Sequence, residues 1–210
     1  FVVSNGLEVI ENRDRQVPQQ LPSLPVTVSG QILKIEEVDE FCFTAPTTGP
    51  MTCEILAAAI GSPLTAVVEI RDGSGRLIAD AADTASRDLK FTFAVEAGQK
   101  YTARVYDVDF RGNRSFVYRL SLTPGPSLVT TMPAFVKQDS TQDVEFIGYG
   151  IKTGSAKLES IIQKIQVHAD VQAVFVGEVE VVGGTKLRYE IPVSDIPEVV
   201  EQQSDTDFQK

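Results

Sequence analysis

The sequence predicts an all-β protein built from two tandem β-sandwich domains. Short runs of alternating apolar and polar residues recur along most of the chain, and Gly-, Pro- and Asp-rich turns separate them at intervals of about 8–12 residues. Alternation with a period of two is typical of strands with one buried face. The tripeptide Pro124-Gly125-Pro126 indicates a linker between a longer first segment and a shorter second one.

Length and composition limit the classes of function. The chain has 210 residues, room for one large or two small domains, and 42% of them are hydrophobic, which is enough for a packed core. The formal net charge of −10 argues against binding to nucleic acid or to an anionic membrane surface. The sequence contains no apolar run long enough for a membrane span. Because the chain begins at Phe1 without a charged signal region, we expect it to be part of a longer protein.

The strongest strand pattern is Val38–Phe43, which the turn Thr47–Pro50 connects to Met51–Ile55. We interpret the two runs as a hairpin whose inward residues are Phe41, Phe43, Met51, Cys53 and Ile55.

The only two cysteines, Cys42 and Cys53, lie in this predicted hairpin. Cys42 stands between two inward phenylalanines and so points outward, whereas Cys53 points inward. Side chains on opposite faces of a sheet cannot reach disulfide geometry, so we expect two free thiols.

Further strands complete the first predicted sandwich, residues 21–124. They are Pro25–Ile32, Leu64–Ile70, Leu77–Ala79, Leu89–Val95, Tyr101–Tyr106 and Phe116–Leu122. The Asp-Gly turn at 72–73 predicts that Leu64–Ile70 and Leu77–Ala79 pair as a hairpin.

The second predicted sandwich, residues 127–196, is immunoglobulin-like. Its expected strands include Asp143–Gly148, Ile165–His168, Val174–Val179 and Lys186–Ile191. The run Leu158–Ile165 fits either a helical turn or a strand, because its spacing favours a helix and its β-branched residues favour a strand.

The two ends of the chain are similar to each other. At a constant offset, residues 3–11 and 193–201 share Val, Ser, Glu, Val and Glu at corresponding positions. We therefore expect the chain to be one period of a tandem array. On this prediction residues 1–20 form an N-terminal linking segment, and residues 197–210 begin the next repeat or form a disordered tail.

The first segment resembles the bacterial pre-peptidase C-terminal (PPC) domain, a secreted jelly-roll-like β-sandwich. The residues that carry the resemblance, spread over roughly residues 8–124, are Glu11-Asn12, Leu24–Val26, Gly30–Ile32, Val38–Phe43, Gly61–Leu64, Asp72–Leu77, Gly98–Tyr101 and Tyr118–Leu120. The resemblance lies in their order and spacing. The second segment is similar to the immunoglobulin-like domain that often follows such modules.

The resemblance also implies a calcium site. Some relatives bind Ca²⁺ through acidic residues of the N-terminal segment, and Ca²⁺ takes six to eight oxygen ligands. The corresponding residues here are Glu11, Asn12 and Asp39, with Glu8 or Asp14 as weaker candidates. The chain departs from the family pattern in lacking a proline in this segment, in placing Arg13 where an acid is usual, and in having Glu37 where the family has aspartate. An ordinary hydrogen-bonded linker is the alternative.

The sequence offers little for catalysis. His168 is the only histidine, and no Gly-x-Ser-x-Gly nucleophile motif or zinc-ligand spacing is present. The loop Asp107–Asn113 has the polar residues for a cation or glycan, or for a solvated strand end, and Tyr106, Phe110 and Phe116 form the one aromatic cluster that suits stacking on a sugar.

We therefore predict a non-catalytic spacer and interaction module of a larger secreted bacterial protein, with no catalytic residues. Its expected location is extracellular, on the cell surface or in the periplasm, and its expected partners are the neighbouring domains of the same polypeptide. The alternative is a module that binds polysaccharide or an extracellular matrix protein, with Ca²⁺ bound to the module as an aid to that binding.

Overall fold

The computed structural model describes residues 6–13, 18–83 and 88–196. Apart from two 3₁₀ turns, Ala58–Ile60 and Val182–Gly184, all regular structure in these ranges is β-strand, which confirms the all-β prediction. The chain divides into two compact units, Phe1–Pro126 and Ser127–Lys210. No helix in the described ranges has the length and apolar character needed to cross a membrane.

The first unit consists of two five-stranded sheets, with strands numbered in chain order. In spatial order, the first sheet contains β1 (Leu7–Ile10), β3 (Val26–Gln31), β10 (Val117–Pro124), β5 (Gly49–Leu56) and β8 (Leu89–Val95). The second sheet contains, again in spatial order, β2 (Gln19–Gln20), β4 (Asp39–Thr44), β9 (Lys100–Asp107), β6 (Ala66–Asp72) and β7 (Leu77–Ala82).

One hydrophobic core lies between these two sheets. The inward residues predicted from the alternation are all buried, with exposed fractions of 1% or less: Phe41, Phe43, Met51, Cys53 and Ile55. Each such side chain contributes roughly 1.5–3 kcal/mol when it leaves water. The period-two pattern therefore identified the core face of both strands correctly.

The predicted hairpin between β4 and β5 is wrong. Strand β4 pairs with β2 and β9, whereas β5 pairs with β8 and β10 in the opposite sheet. The backbone of Ala45 continues the contacts of β4, because its N–H donates to Gln99 O at 3.0 Å and its carbonyl accepts from Gly98 N at 2.8 Å. Gly49, with φ of 143°, then directs the chain across to the other sheet.

The structure confirms two free thiols. Cys53 is buried in the core, and Cys42 is half-buried on the outer face, where its Sγ lies 3.4 Å from Thr102 Oγ1. The two side chains point to opposite faces, as predicted, but they belong to different sheets.

Other strands of the first unit agree with the sequence pattern. The Asp-Gly turn joins β6 to β7 as a hairpin, with Val67 opposite Ala82 at one end of the register. The N-terminal segment, residues 1–20, was predicted as a linking segment outside the sandwich of residues 21–124. It instead contributes one strand to each sheet: β1 runs parallel to β3, and β2 runs parallel to β4.

The second unit has two three-stranded sheets around its own core. The first sheet contains β11 (Ser127–Met132), β13 (Ser140–Tyr149) and β14 (Leu158–Val167). The second contains β12 (Val136–Lys137), β16 (Lys186–Ser194) and β15 (Val174–Glu180). Residues 158–165 are strand rather than helix, which settles the alternative left open by their sequence. These sheets fit a β-sandwich, while the immunoglobulin-like assignment stays a prediction.

Part of each copy of the predicted repeat, residues 3–5 and 197–201, lies outside the described ranges. The repeat therefore stays a prediction.

Candidate functional site

Three carboxylates meet at one end of the first sandwich. One oxygen from each of Glu11, Glu37 and Asp39 lies within 4.8 Å of the others, the only such group of possible metal ligands found among the described residues. Two of the three residues, Glu11 and Asp39, are residues that the sequence predicted as calcium ligands. Two segments distant in sequence, one with Glu11 and one with Glu37 and Asp39, thus converge on one point.

Glu11 reaches the site from the residue that follows β1. Its N–H donates to Ser29 O at 2.9 Å, which extends the pairing of β1 with β3 by one residue. Its side chain is 7% exposed, and Oε2 accepts a hydrogen bond from the N–H of Gln31 at 2.9 Å. The carboxylate is therefore held against the end of β3.

Glu37 lies in the loop between β3 and β4. Its Oε2 accepts hydrogen bonds from the N–H groups of Leu33 and Lys34, both at 2.6 Å. A carboxylate that accepts two backbone donors has a fixed orientation, and it holds the loop in one conformation.

Asp39 is the first residue of β4, and its side chain points inward, on the same face as Phe41. It is 2% exposed, and its Oδ2 accepts a hydrogen bond from Tyr118 Oη at 2.6 Å. Tyr118 belongs to β10 of the opposite sheet. This buried bond therefore joins the two sheets beside the carboxylate group.

Gly30 makes room for the Tyr118 ring. A Cβ at Gly30 would lie 2.4 Å from both Cζ and Oη of Tyr118, closer than any side chain tolerates. The glycine thus allows the ring to pass over β3 and reach Asp39.

The ligand chemistry of the group favours a hard cation. Glu11, Glu37 and Asp39 supply only carboxylate oxygens, the ligands that Ca²⁺ and Mg²⁺ prefer, whereas zinc sites are built mainly from His and Cys. Neighbouring carboxylates repel one another, and a bound divalent cation offsets that repulsion. The nearby guanidinium of Arg13 donates to Gln31 Oε1 at 2.6 Å. The residues present therefore fit the calcium ion that the resemblance implies.

The other predicted ligands have different positions. Asn12 is exposed, and its backbone N–H donates to Gln19 Oε1 at 2.7 Å. The three-residue group consists of carboxylates alone, so Asn12 as a ligand stays a prediction. Glu8 forms an ion pair with Arg119. Asp14 lies outside the described residues.

Sequence reasoning missed Glu37 and Tyr118 as parts of this site. Glu37 stood out only as a departure from the family pattern, although its spacing from Asp39 carried a usable signal. Tyr118 is far away in sequence, and only the register of β10 with β3, which places it opposite Gly30, shows the connection.

The loop after β9 is organised by protein contacts. Asp107 is fully buried and accepts hydrogen bonds from the N–H groups of Thr65, Asp109 and Arg111, and from the Arg111 guanidinium at 2.9 Å. Burial alone would raise the pKa of Asp107, but these hydrogen bonds outweigh it and lower the pKa. The Asp107 oxygens therefore hold the loop together through contacts within the protein.

The predicted aromatic cluster is divided. Tyr106 and Phe110 stack with ring centroids 5.2 Å apart and planes 9° apart. Phe116 is buried in the core, with the Arg111 guanidinium carbon 5.5 Å from its ring centroid.

His168 is exposed directly after β14, where its carbonyl accepts a hydrogen bond from Val171 N at 3.2 Å. Among the described residues, no hydrogen bond or ion pair involves its imidazole ring.

No protein-family model matches the chain, and no curated protein matches it either. Solved structures do. The PPC domain of a collagenase from Bacillus anthracis is 18% identical over 53% of this chain and all of its own, with a TM-score of 0.42. The periplasmic inhibitor of g-type lysozyme, PliG, from Aeromonas hydrophila is 15% identical over 55% of this chain and 97% of its own, with a TM-score of 0.39. The C-terminal domain of EclA, a sugar-binding protein, is 18% identical over 53% of this chain and 83% of its own, with a TM-score of 0.31.

Proposed function

We propose that this chain is a non-catalytic extracellular module of a larger secreted protein. In that protein it separates neighbouring domains and docks the whole molecule to a polysaccharide or an extracellular protein. The observation that carries the proposal is the convergence of Glu11, Glu37 and Asp39 at one end of a sandwich whose sequence resembles a PPC domain.

The carboxylate group is the proposed calcium site of this module. Glu11, Glu37 and Asp39 would hold the ion, which would offset most of their negative charge and join the N-terminal segment to the loop before β4 and the start of β4. Calcium sites of extracellular modules commonly have dissociation constants of about 10⁻⁴–10⁻³ M, so such a site is filled outside cells and empty in the cytosol.

The position of His168 supports a non-catalytic role. A nucleophile activated by histidine needs that ring within hydrogen-bonding distance, and the described residues place it in an exposed turn without such a partner. The acidic composition, with a net charge of −10, supports partners other than nucleic acid.

The docking role is tested by removing the module from the full-length protein. One variant lacks residues 6–196, and a second replaces them with a Gly/Ser linker of equal length, which keeps the domains apart without offering a binding surface. We expect deletion to reduce the fraction of the full-length protein bound to cell surface or extracellular matrix. We also expect any activity of the remaining domains on soluble substrates to be unchanged.

The linker variant separates the two parts of the proposal. Restored attachment would mean that the chain is only a spacer, and attachment that stays lost would mean that its surface binds a partner. Loss of activity on soluble substrates in both variants would contradict a non-catalytic role.

A further inference from the structure

The outer face of the second sheet of the first unit carries a row of interlocked charges. Glu40, Arg104 and Glu69 lie side by side on β4, β9 and β6. Arg104 donates from Nε to Glu40 at 2.9 Å and from Nη1 to Glu69 at 3.0 Å. Arg71 donates from Nε and Nη2 to the same Glu69 oxygen, at 3.0 and 2.8 Å.

These side chains hold one another by hydrogen bonds, but they remain partly exposed to solvent. The exposed fractions of their side chains range from 16% for Glu69 to 35% for Glu40. Burial alone would raise the pKa of Glu69, but hydrogen bonds from Arg71, Tyr106 and Arg104 outweigh it and lower the pKa. Glu69 is therefore ionised at neutral pH, and the row presents fixed donors and acceptors to the solvent.

An aromatic platform adjoins the row. Tyr106 lies two residues beyond Arg104 on the same face of β9, and its hydroxyl donates to Glu69 Oε1 at 3.0 Å. Phe110 stacks on Tyr106, and 47% of Phe110 is exposed. One large apolar ring is thus presented to water beside a row of polar groups.

The loop that carries Phe110 holds it in an unfavourable backbone conformation. Phe110 has φ of 54°, a region that non-glycine residues rarely adopt. Its N–H donates to Asp107 O at 2.8 Å, and its carbonyl accepts from Glu36 N at 2.9 Å. Gly112 packs directly on Lys34, since a Cβ there would lie 2.0 Å from the Lys34 carbonyl oxygen. Strained residues held in this way concentrate at binding sites.

A groove continues the surface at the other end of the row. It has a volume of about 590 Å³, and its lining includes Glu40, Asp72, Lys100, Thr102 and Arg104. Thr102, Arg104 and Tyr106 alternate along β9, so the surface from the groove to the platform extends about 13 Å. That length suits a short oligomer rather than a single small molecule.

The charges on this surface balance. Four basic residues and four acidic residues lie in the row, at the groove and beside them: Arg71, Arg76, Lys100 and Arg104, and Glu40, Glu69, Asp72 and Asp80. A balanced set gives no net attraction to an anionic chain, but it provides donors and acceptors in alternation. Neighbouring hydroxyl groups, each of them both donor and acceptor, match such an array, and the apolar face of a sugar ring matches the exposed ring of Phe110.

We infer that the outer face from the Thr102 groove to the Tyr106–Phe110 platform binds an uncharged oligosaccharide. This inference rests on the proposed docking function and names the class of its partner. The aromatic platform would contact the apolar face of a sugar ring, and the charged row would exchange hydrogen bonds with neighbouring hydroxyl groups.

Direct binding to the purified 210-residue chain tests the inference. Cellohexaose, xylohexaose, mannohexaose and chitohexaose are titrated by calorimetry up to millimolar concentration, and an alginate hexasaccharide and gelatin are tested in parallel. We expect at least one uncharged hexasaccharide to bind. Phe110→Ala should raise its dissociation constant about tenfold or more, because the variant loses the ring contact that the bound sugar would bury.

Phe135→Ala is the matched control, because Phe135 is 43% exposed but lies in the second unit. It should leave binding unchanged. Should Phe110→Ala fail to fold, Glu69→Gln tests the polar row instead of the ring. This substitution keeps the side-chain shape, removes the acceptor charge and should also weaken binding.

Four results would overturn the inference: no uncharged saccharide binds, only the alginate fragment binds, only gelatin binds, or Phe110→Ala binds as tightly as the unmodified chain. Failure of the docking function itself would be seen in a different experiment: deletion of residues 6–196 would leave attachment of the full-length protein unchanged.

Discussion

Asp39 shows how a single buried carboxylate serves both the fold and the candidate site. Its hydrogen bond with Tyr118 joins the two sheets, and its position next to Glu11 and Glu37 completes the carboxylate group. A buried carboxylate is costly unless it is hydrogen-bonded or paired with a cation. Asp39 therefore depends on the small residue that lets Tyr118 reach it.

The substitution Gly30→Ala tests this dependence. The new methyl group would meet the Tyr118 ring, so the ring must move and the bond to Asp39 must break. Overpacking of this kind costs about 1–3 kcal/mol of unfolding free energy, which urea denaturation measures.

Gly73→Ala is the control for that experiment. The nearest atom to a Cβ at Gly73 is Lys100 O at 3.6 Å, an ordinary contact, so the change should stay within about 0.5 kcal/mol. Equal losses in the two variants would show that the Tyr118 contact is not the cause.

The acidic residues of the site could be predicted from the sequence, because their side chains carry the ligand chemistry themselves. Glu11 and Asp39 were identified because a resemblance pointed to acids at those positions. Tyr118 and Gly30 were not, because their role arises only when β10 pairs with β3. A hydroxyl donor on a distant strand leaves no local signal.

Among the strands, alternation predicted which residues point inward but not which strands pair. Phe43 and Met51 are both buried because each lies on the inner face of its own sheet. The hairpin prediction assumed that consecutive strands are hydrogen-bonded neighbours. In this sandwich the chain instead crosses to the other sheet after every strand of the first unit from β1 to β9 except β6. Where a turn leads depends on contacts such as that of Ala45 with Gln99, which are remote in sequence.

The pairing of β4 with β9 can be tested by a disulfide. Cys42 lies directly opposite Thr102, and their side-chain tips are 3.4 Å apart. Opposed residues of antiparallel strands are within the Cα separation that a disulfide requires. We expect Thr102→Cys to form an intramolecular disulfide with Cys42 under mild oxidation, detected by mass spectrometry of a non-reduced digest.

Thr92→Cys is the control for this experiment, since Thr92 lies opposite Thr52 in the other sheet and should not link to Cys42. A Cys42 that stays reduced in the Thr102→Cys variant would contradict the register of β4 against β9.

At the scale of the whole molecule, composition and turn spacing predicted an all-β chain, and the Pro-Gly-Pro segment coincides with the division into two units after Pro126. Each unit has its own buried core, centred on residues such as Phe41 in the first and Phe146 in the second. Fold class follows from local patterns repeated many times. The carboxylate group and the outer-face surface do not, because each requires segments distant in sequence that the completed sheets bring together.

Thermal unfolding of the chain with Ca²⁺ and then with chelator tests whether Glu11, Glu37 and Asp39 bind calcium. A ligand that binds only the folded state at a hundredfold excess over its dissociation constant stabilises it by about 2.7 kcal/mol. We expect Ca²⁺ to raise the melting temperature of the unmodified chain, and Asp39→Asn to abolish the rise. The control Asp143→Asn changes an aspartate on β13 of the second unit, whose side chain is 63% exposed, and should keep the rise. A melting temperature that Ca²⁺ does not change, or a rise that survives Asp39→Asn, would contradict the calcium site at Glu11, Glu37 and Asp39.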